Sequence, residues 1–402
     1  RDLDSSLVGS EMCIRDSGDR AFVCGYVFVG DLSVGTGGAA SDPTVVAPPP
    51  GHPLRLAERD AGVSVTLRDG SMVWLFGDTV ERDAAGNTEY FVNNTAAWAA
   101  PGAPTVTRDG IDGSQPYQFV DALHSCPTPG FDKPAIWPES AVAVPQDDGT
   151  DRVVVYLSKV CLGSGWLEIE PRGMALAEFT YDPANPPVDA RISGSVTAPD
   201  LFGATDPWGR AAVLGADDTT IHVYQCGRFT NPPTDDWGPC EVGRVDFDDR
   251  TDPAAYRFWS GGDPADAGNW SADPGTAAPI VSASGADITP PVAAFTLTFD
   301  ETHGYWLMVY TPLPGFTDRV EVRVADSPVG PFTDPVTVHL PGCNDTTGGT
   351  SYRCYAGTAQ PQLSQTGLLG VGYFDQAIST GPLRGQYVVV TVPFNVVATP
   401  AP

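Results

Sequence analysis

The feature that most constrains the fold of this chain is an aromatic-rich apolar segment that recurs five times. Each copy is typical of a buried β-strand, and each follows a shorter strand rich in small residues. The copies are VWLFGDT (73–79), VVVYLSKV (153–160), IHVYQC (221–226), YWLMVYT (305–311) and LLGVGYF (368–374). A third strand follows each pair, and such serial meanders predict an all-β fold, specifically a five-bladed β-propeller. A β-sandwich is the alternative, but its strands would not group in threes.

The flanking strands complete each predicted blade. The first strands are 62–67, 140–145, 209–215, 293–299 and, weakly, 359–364. The third strands are 91–99, 174–181, 241–247, 320–326 and 386–397. Small residues suit the first strands, because these converge on the crowded axis of a propeller. Closing the ring requires one blade to be shared by both ends of the chain, so we expect residues 386–397 or the segment before Leu54 to complete a blade.

The composition agrees with a turn-rich β protein and excludes some functions. The 402 residues include 44 Gly and 39 Pro. With 22 Lys and Arg against 50 Asp and Glu, the net charge is −28, which excludes a nucleic-acid partner held by its phosphates. No apolar run reaches the ~18 residues of a membrane-spanning helix, so we expect no membrane span. We expect a monomer.

The N-terminal residues differ from the rest of the chain. Residues 1–17 show no periodicity, and the composition changes sharply at Gly18, so we interpret them as non-native sequence. Residues 21–29 (AFVCGYVFV) fit either the remnant of an export signal or a short buried edge strand. We assign residues 18–53 to this remnant and a Gly/Ala/Pro linker, and residues 54–402 to the propeller domain.

The cysteines bear on the cellular compartment. The predicted domain contains six: Cys126, Cys161, Cys226, Cys240, Cys343 and Cys354. They form no CxxC motif, and the few His residues are not placed for tetrahedral zinc. We therefore predict disulfides between sequence neighbours, 126 with 161, 226 with 240 and 343 with 354, in an oxidising compartment. Buried free thiols remain the alternative.

Polar residues recur where the predicted first strands begin. They are Asp60, Glu139, Asp206 with Trp208, Asp287, and Gln360 near Tyr355. Because first strands run the same way along the axis, these residues should surround one mouth of the central channel. The antiparallel second strand returns to that mouth, which places Asp78 beside Asp60, and Asn93 and Asn94 open the third strand there. Simple turns are the alternative at Asp78, Glu139 and Asp206.

Several segments resemble a known family. ERDAGVSVTLRDGSMVWLFGDTV, followed by FVNNT, resembles the first blade of a bacterial five-bladed propeller family, the endo-D-arabinanases of glycoside hydrolase family 183, once a domain of unknown function. WGRAAVL, YRFWSG and VRVADSPVGPFTDP resemble its third, fourth and fifth blades. The resemblance implies that Asp60 (in RDAG) and Asp78 (in FGDT) are the catalytic candidates. The chain departs from the family at Gln360-Pro361, where the resemblance implies a His before Pro.

Paired carboxylates fit glycoside cleavage, because one must donate a proton to the leaving oxygen while the other activates water or attacks the anomeric carbon. We predict a secreted glycoside hydrolase that cleaves arabinan or a similar furanose-rich cell-wall polysaccharide. Asp60 and Asp78 are the expected pair, with Glu139 as the reserve acid. The alternative is a noncatalytic propeller that binds glycan or protein at the cell surface.

The remaining predictions concern substrate and ion binding. Trp137, Trp208 and Trp259 could stack on sugar rings, and Asn93, Asn94, Asp206 and Gln360 could bind sugar hydroxyls. We expect no cofactor. The acid-rich loops 147–151 and 263–273 leave a structural Ca²⁺ open with weak support, because no D-x-[DN]-x-[DN]-G pattern is present.

Overall fold

A computed structural model of the chain shows a fold made of β-strands, which confirms the all-β prediction. The residues that it describes are 10–14, 23–27, 30–35, 38–48, 51–54, 57–103, 105–106, 108–165, 168–187, 191–227, 238–288, 292–300, 304–312, 315–343, 354–365, 367–376 and 385–400. Most of the predicted non-native segment 1–17 therefore lies outside the described residues.

Five antiparallel sheets of four or five strands follow one another along the chain, and we number them 1 to 5. Sheet 1 contains Gly62–Thr66, Met72–Phe76, Thr95–Ala99 and Arg108–Asp109. Sheet 2 contains Lys133–Pro145, Asp151–Leu162, Ile169–Tyr181 and Ser195–Phe202. Sheet 3 contains Ala211–Leu214, Thr220–Cys226, Cys240–Asp246, Arg257–Trp259 and Trp270–Ser271. Sheet 4 contains Val292–Asp300, Tyr305–Pro312, Arg319–Ala325 and Val336–His339. Sheet 5 contains Cys354–Ala359, Leu368–Asp375, Gln386–Pro393 and Thr44–Val45.

Smaller elements complete the described fold. A three-stranded sheet contains Ala57–Arg59, Thr79–Arg82 and Thr88–Val92. Three two-stranded pairs join Ser10–Ile14 to Val23–Val27, Gly30–Gly35 to Asn395–Pro400, and Ile111–Asp112 to Gln115–Pro116. The helices are short 3₁₀ turns at Phe247–Asp249, Pro253–Ala255, Ala267–Asn269, Pro274–Thr276 and Pro361–Leu363. No helix in the described ranges is long and apolar enough to cross a membrane.

The hydrophobic core is divided among the gaps between neighbouring sheets. One buried cluster fills each gap in turn, from sheets 1 and 2 through sheets 4 and 5. A fifth cluster packs Trp74 and Phe76 of sheet 1 against Tyr387 and Val389 of sheet 5. The first strands of all five sheets line one central cavity of about 280 Å³ with mainly small residues. Burial of apolar side chains between sheets therefore arranges the five sheets around a common centre.

The last and first sheets are also joined by hydrogen bonds. The Tyr387 hydroxyl donates to the carbonyl oxygen of Gly62 at 2.7 Å. A Cβ at Gly62 would lie 2.7 Å from the Tyr387 ring, so only glycine allows this close approach. The N-terminal strand Thr44–Val45 pairs with Gln386–Pro393 and completes sheet 5. Both ends of the chain thus contribute to one sheet.

The structure differs from three details of the sequence analysis. The predicted strand 359–364 is a strand that ends at Ala359, followed by a 3₁₀ turn, because Pro361 has no N–H to donate to a sheet. YRFWSG lies in sheet 3 and VRVAD in sheet 4, one sheet earlier than expected. The segment assigned to a linker contains Gly30–Gly35 and Thr44–Val45, which pair with C-terminal strands.

Three disulfides join the pairs that the cysteine spacing predicts. They are Cys126–Cys161, Cys226–Cys240 and Cys343–Cys354. Each bond lies within one sheet or between a sheet and its adjoining loop. The predicted pairing is confirmed. The disulfides restrict the chain between the bonded cysteines.

Candidate active site

The site begins at a break between sheet 1 and the three-stranded sheet. The first three strands of sheet 1 are continued, in the same order, by the strands of the three-stranded sheet. The residues between the two sheets are 60–61, 77–78 and 93–94. Asp60, Asp78 and Asn93 are therefore side by side at the break, as the sequence analysis predicts from strand direction.

Backbone hydrogen bonds hold the two aspartates together at this break. The N–H of Asp60 donates to the carbonyl oxygen of Asp78 at 2.8 Å, and the N–H of Gly77 donates to that of Asp60 at 2.9 Å. Ala61 has a φ of 37°, a conformation that costs a non-glycine residue about 1–3 kcal/mol. The rest of the fold offsets this cost. The backbone hydrogen bonds keep the two strand ends at a fixed separation.

The Asp78 carboxyl is held by partners from two sheets. The indole Nε1–H of Trp137 donates to its Oδ1 at 2.8 Å, and Asn93 donates a further hydrogen bond. The pKa of Asp78 is raised to about 7, because burial and the negative charge of Asp60 together outweigh the lowering by the two hydrogen bonds. A carboxyl in this environment keeps its proton near neutral pH.

The Asp60 carboxyl is held differently. Burial raises its pKa to about 6, while hydrogen bonds from the Tyr355 hydroxyl and the Ala61 N–H lower it. Its Oδ1 is inaccessible to solvent and makes no hydrogen bond within the described part of the chain. The Tyr355 ring is fixed by Phe374 and Phe316, at centroid distances of 4.9 and 5.3 Å. Burial and the nearby Asp60 charge raise the pKa of Tyr355 far above its usual range, so this hydroxyl remains a donor.

We call the two aspartates the acid pair. Each of them can gain or lose a proton near neutral pH. Asp60 has the lower pKa, about 6, and Asp78 the higher, about 7. Between these values, the favoured state of the pair has an ionised Asp60 and a protonated Asp78. One group is then ready to accept a proton or attack, and the other to donate a proton.

Glu139 lies close to the acid pair but in a different environment. A bulge between Pro138 and Ser140 interrupts the strand at this residue. Its Oε2 is 3.8 Å from Nε of Arg210, and the two side chains line a cavity of about 40 Å³ together with Ala61. The structure thus places Glu139 at a cavity that is also lined by Ala61, the residue that follows Asp60.

Three residues predicted to contact substrate are buried in structural roles instead. Trp208 is fully buried and packs against Phe258, with ring centroids 4.5 Å apart. Asn94 is fully buried, and its amide bonds to Val120 and to the carbonyl oxygen of Ile136. These two predicted contacts are not on the site surface, because side chains next to a strand end can point into the gap between sheets.

Gln360 is the third buried residue. Its side-chain amide donates to the Tyr387 hydroxyl at 2.9 Å, and its Oε1 accepts from the Ser64 hydroxyl at 2.5 Å. These bonds join sheet 5 to sheet 1. The side chain at the position of the expected His therefore helps to join sheets 5 and 1 and is buried.

Two other predicted contacts lie away from the acid pair. Trp259 is on an outer strand of sheet 3, paired with Trp270, and its Nε1–H donates to Gly262. Asp206 lies in a turn, where it accepts a 2.8 Å hydrogen bond from the Thr205 hydroxyl. Of the predicted site residues, the structure brings together Asp60, Asp78, Asn93 and Trp137, with Glu139 nearby.

Sequence reasoning located Tyr355 near the mouth but gave it no role. It also missed the buried ion pair between Arg82 and Glu58, whose two hydrogen bonds are each 2.7 Å long. The signal for the ion pair was the position of Glu58, in the short strand that leads directly into Asp60. Tyr355, the hydrogen-bond partner of Asp60, is distant from it in the sequence, and no local pattern marks it as a partner.

A metal site would require several ligand side chains close to one another. In the described part of the chain, the one group of three His, Cys, Asp or Glu ligand atoms that are mutually close is His124, Cys126 and Cys161. The two cysteines are joined in a disulfide, so their sulfurs are not available as thiolates. The structural Ca²⁺ considered for loops 147–151 and 263–273 stays a prediction.

Sequence comparison places the chain in a family. The model of a domain of unknown function, DUF5005, matches residues 56–380. The chain belongs to this family. No curated protein gives a significant sequence match to it. The matched region of the DUF5005 domain includes every residue of the site described above.

Solved structures resemble the DUF5005 domain at low sequence identity. A suspected hydrolase from Bacteroides ovatus has a TM-score of 0.55 and 18% identity, over 83% of this chain and 85% of its own. A GH43_1 enzyme from Xanthomonas citri has a TM-score of 0.45 and 13% identity, over 87% and 90%. The arabinanase Arb43A from Bacillus subtilis has a TM-score of 0.37 and 13% identity, over 84% and 95%. The first similarity shows that the DUF5005 domain shares the fold of that protein.

Proposed function

We propose that the protein is a secreted glycoside hydrolase that cleaves arabinan or a related furanose-rich polysaccharide with Asp60 and Asp78 as its catalytic carboxyls. The acid pair carries this proposal. Its two carboxyls sit at adjoining strand ends, and burial raises their pKa values to about 6 and about 7. Such unequal carboxyls are the requirement for acid and base roles at a glycosidic bond.

The surroundings of each carboxyl suggest how the roles divide. Asp60 accepts hydrogen bonds from Tyr355 and Ala61, which stabilise its ionised form, so it acts as the base or nucleophile. Burial and the negative charge of Asp60 both raise the pKa of Asp78, so it acts as the proton donor. Glu139 remains the reserve acid, and Trp137 and Asn93 orient Asp78 and border the sugar.

The proposed architecture is a five-bladed β-propeller with sheets 1 to 5 as blades. Support comes from the five apolar clusters between successive sheets and from the central cavity lined by all five first strands. Residues 54–402 form the propeller domain in this proposal, with Thr44–Val45 added to the last blade. The disulfides support secretion, because such bonds persist in oxidising compartments.

Support for arabinan as the substrate is narrower. It rests on the resemblance of RDAG and FGDT, which contain Asp60 and Asp78, to the endo-D-arabinanases. Assignment to glycoside hydrolase family 183 stays a prediction. An uncharged polysaccharide also suits a chain with a net charge of −28, because an anionic polymer would be repelled.

The test is hydrolysis by the purified protein of D-arabinan, L-arabinan and arabinogalactan, with chromatography of the products. Asp60→Asn and Asp78→Asn should each lower turnover by about 10²–10⁴-fold, because each removes one proton-transfer group. Asp248→Asn, at an exposed 3₁₀ turn, is the matched control. Both site variants should remain folded by circular dichroism.

Two results would overturn the proposal. One is parent turnover in folded Asp60→Asn and Asp78→Asn variants, which would move the chemistry to Glu139 or elsewhere. The other is retention of a glycan by the parent in an affinity gel with no product released from any polymer. That second result would favour the noncatalytic binding propeller.

A further inference from the structure

The face of the three-stranded sheet next to the acid pair is open. Side chains two residues apart on a strand point to the same face. Val80 follows Asp78 by two residues, and Phe91 precedes Asn93 by two. Val80 and Phe91 are direct partners across the two strands. Val80 and Phe91 are therefore adjacent on one face of this sheet, and each is two residues along the chain from a residue of the break, Asp78 or Asn93.

The exposure of this face differs from that of the opposite face. The Phe91 side chain is 49% exposed, one of two large hydrophobic side chains exposed in the described ranges, and Val80 is partly exposed. On the other face, Arg59 pairs with the buried Asp109, and the Tyr90 hydroxyl bonds to Ser114. The face of Val80 and Phe91 is thus exposed at these two residues, while Glu58 and Arg82 on the same face are buried.

The end of this face that lies farther from sheet 1 contains a buried ion pair. Glu58 lies opposite Val80 on the third strand and forms the bidentate ion pair with Arg82. Arg82 also donates to the Thr88 hydroxyl at 3.2 Å. The strand bearing Phe91 is therefore held at its Thr88 end, which limits the ordering cost of binding a ligand there.

We propose that Phe91, with Val80, forms a sugar-binding subsite that stacks one ring of the same glycan chain that the acid pair cleaves. This inference rests on the proposed function. Two residues along a strand span about 6.8 Å, which is close to the length of one sugar unit. An aromatic face packs well against the C–H groups of a sugar ring. Glu89 on the same strand is exposed and would repel an anionic polymer, which favours an uncharged polysaccharide as the ligand.

The test compares Phe91→Ala and Phe91→Trp, with Leu123→Ala as the control at the other exposed hydrophobic residue. Stacking is worth about 0.5–1.5 kcal/mol, so Phe91→Ala should raise the KM for the cleaved polymer about 2- to 12-fold. Phe91→Trp should restore the parent KM or lower it. The defect of Phe91→Ala should be smaller on a short oligosaccharide that occupies the acid pair alone.

A second arm measures binding without turnover. In an Asp78→Asn background, Phe91→Ala should weaken retention of the protein in a polymer-containing gel, and Leu123→Ala should not. Equal retention of all three proteins, or an unchanged KM in Phe91→Ala, overturns the subsite. If the acid-pair variants are inactive and only these Phe91 results fail, the proposed function stands. If the acid-pair variants keep parent turnover, the proposed function fails whatever Phe91 does.

A third measurement tests whether Phe91 is instead buried against a second copy of the chain. If Phe91 instead contacts a second copy of the chain, Phe91→Ala should change the sedimentation of the protein with no effect on retention in the gel. That result would overturn the subsite as well. A stacking subsite predicts identical sedimentation for the parent and Phe91→Ala.

Discussion

The indole N–H of Trp137, on the first strand of sheet 2, donates a 2.8 Å hydrogen bond to Oδ1 of Asp78, at the end of a strand of sheet 1. The orientation of the Asp78 carboxyl therefore depends on how two neighbouring sheets pack. This bond also favours the ionised carboxylate, so it limits how far burial can raise the pKa of Asp78.

Removal of that bond should change the alkaline side of the pH–rate profile. In Trp137→Phe, the pKa of Asp78 should rise above about 7, because an interaction that lowers it is lost. The alkaline limb should then move to higher pH, and turnover should fall because the carboxyl is less well oriented. Trp259→Phe, on an outer strand, is the control. An unchanged alkaline limb in Trp137→Phe would contradict a donor role for Asp78.

The parent enzyme should show a bell-shaped dependence of kcat/KM on pH. Activity should fall below about pH 6, where Asp60 becomes protonated, and above about pH 7, where Asp78 loses its proton. The two apparent pKa values belong to the coupled pair. Initial rates on the cleaved polymer between pH 4 and pH 9, a range chosen to span both limbs at about two pH units beyond each, provide the measurement. A rate that does not vary across this range would argue against the acid pair.

The acidic limb should depend on Tyr355. Tyr355→Phe removes the hydroxyl that donates to Asp60, so the pKa of Asp60 should rise above about 6. The acidic limb should move to higher pH, and the bell should become narrower with a lower maximum. Tyr373→Phe is the matched control, because Tyr373 lies on the same sheet as Tyr355 and its hydroxyl donates to the carbonyl oxygen of Pro341. A general loss of activity with no shift of the limb would indicate a merely structural role for Tyr355.

Acid should destabilise the protein through His222. Burial lowers its pKa to about 4 in the folded state, against 6.5 for the ordinary side chain. The unfolded state therefore binds more protons, and the free energy of unfolding should decrease as the pH falls from 6.5 to 4, by about 3 kcal/mol in total. Urea unfolding of the parent and His222→Phe should show a weaker pH dependence in the variant. The exposed His339→Gln should behave like the parent.

The Cys343–Cys354 disulfide should stabilise the fold, since it restricts the unfolded chain. Replacing both cysteines by serine should lower the free energy of unfolding by about 2–4 kcal/mol, measured in urea. Peptide mapping without reductant should recover the 226–240 and 343–354 links from the parent. Free thiols at both positions in the purified protein would argue against an oxidising compartment.

The sequence by itself determined where most strands form and that Asp60 and Asp78 lie side by side. Alternating and continuous apolar segments specify where strands form and which residues are buried, because these depend on neighbouring residues within one strand. Strand direction was sufficient to place Asp60 beside Asp78. The spacing of the cysteines was sufficient to predict their partners, since short loops bring sequence neighbours together.

Only the tertiary structure decided which side chains at the strand ends face the ligand. Trp208 and Gln360 stand at the same kind of position as Asp60, yet both are fully buried between sheets. Tyr355 reaches Asp60 only because sheet 5 packs against sheet 1. Periodicity within a strand is a local property, whereas the direction and partner of an end residue depend on how distant sheets pack around the common centre.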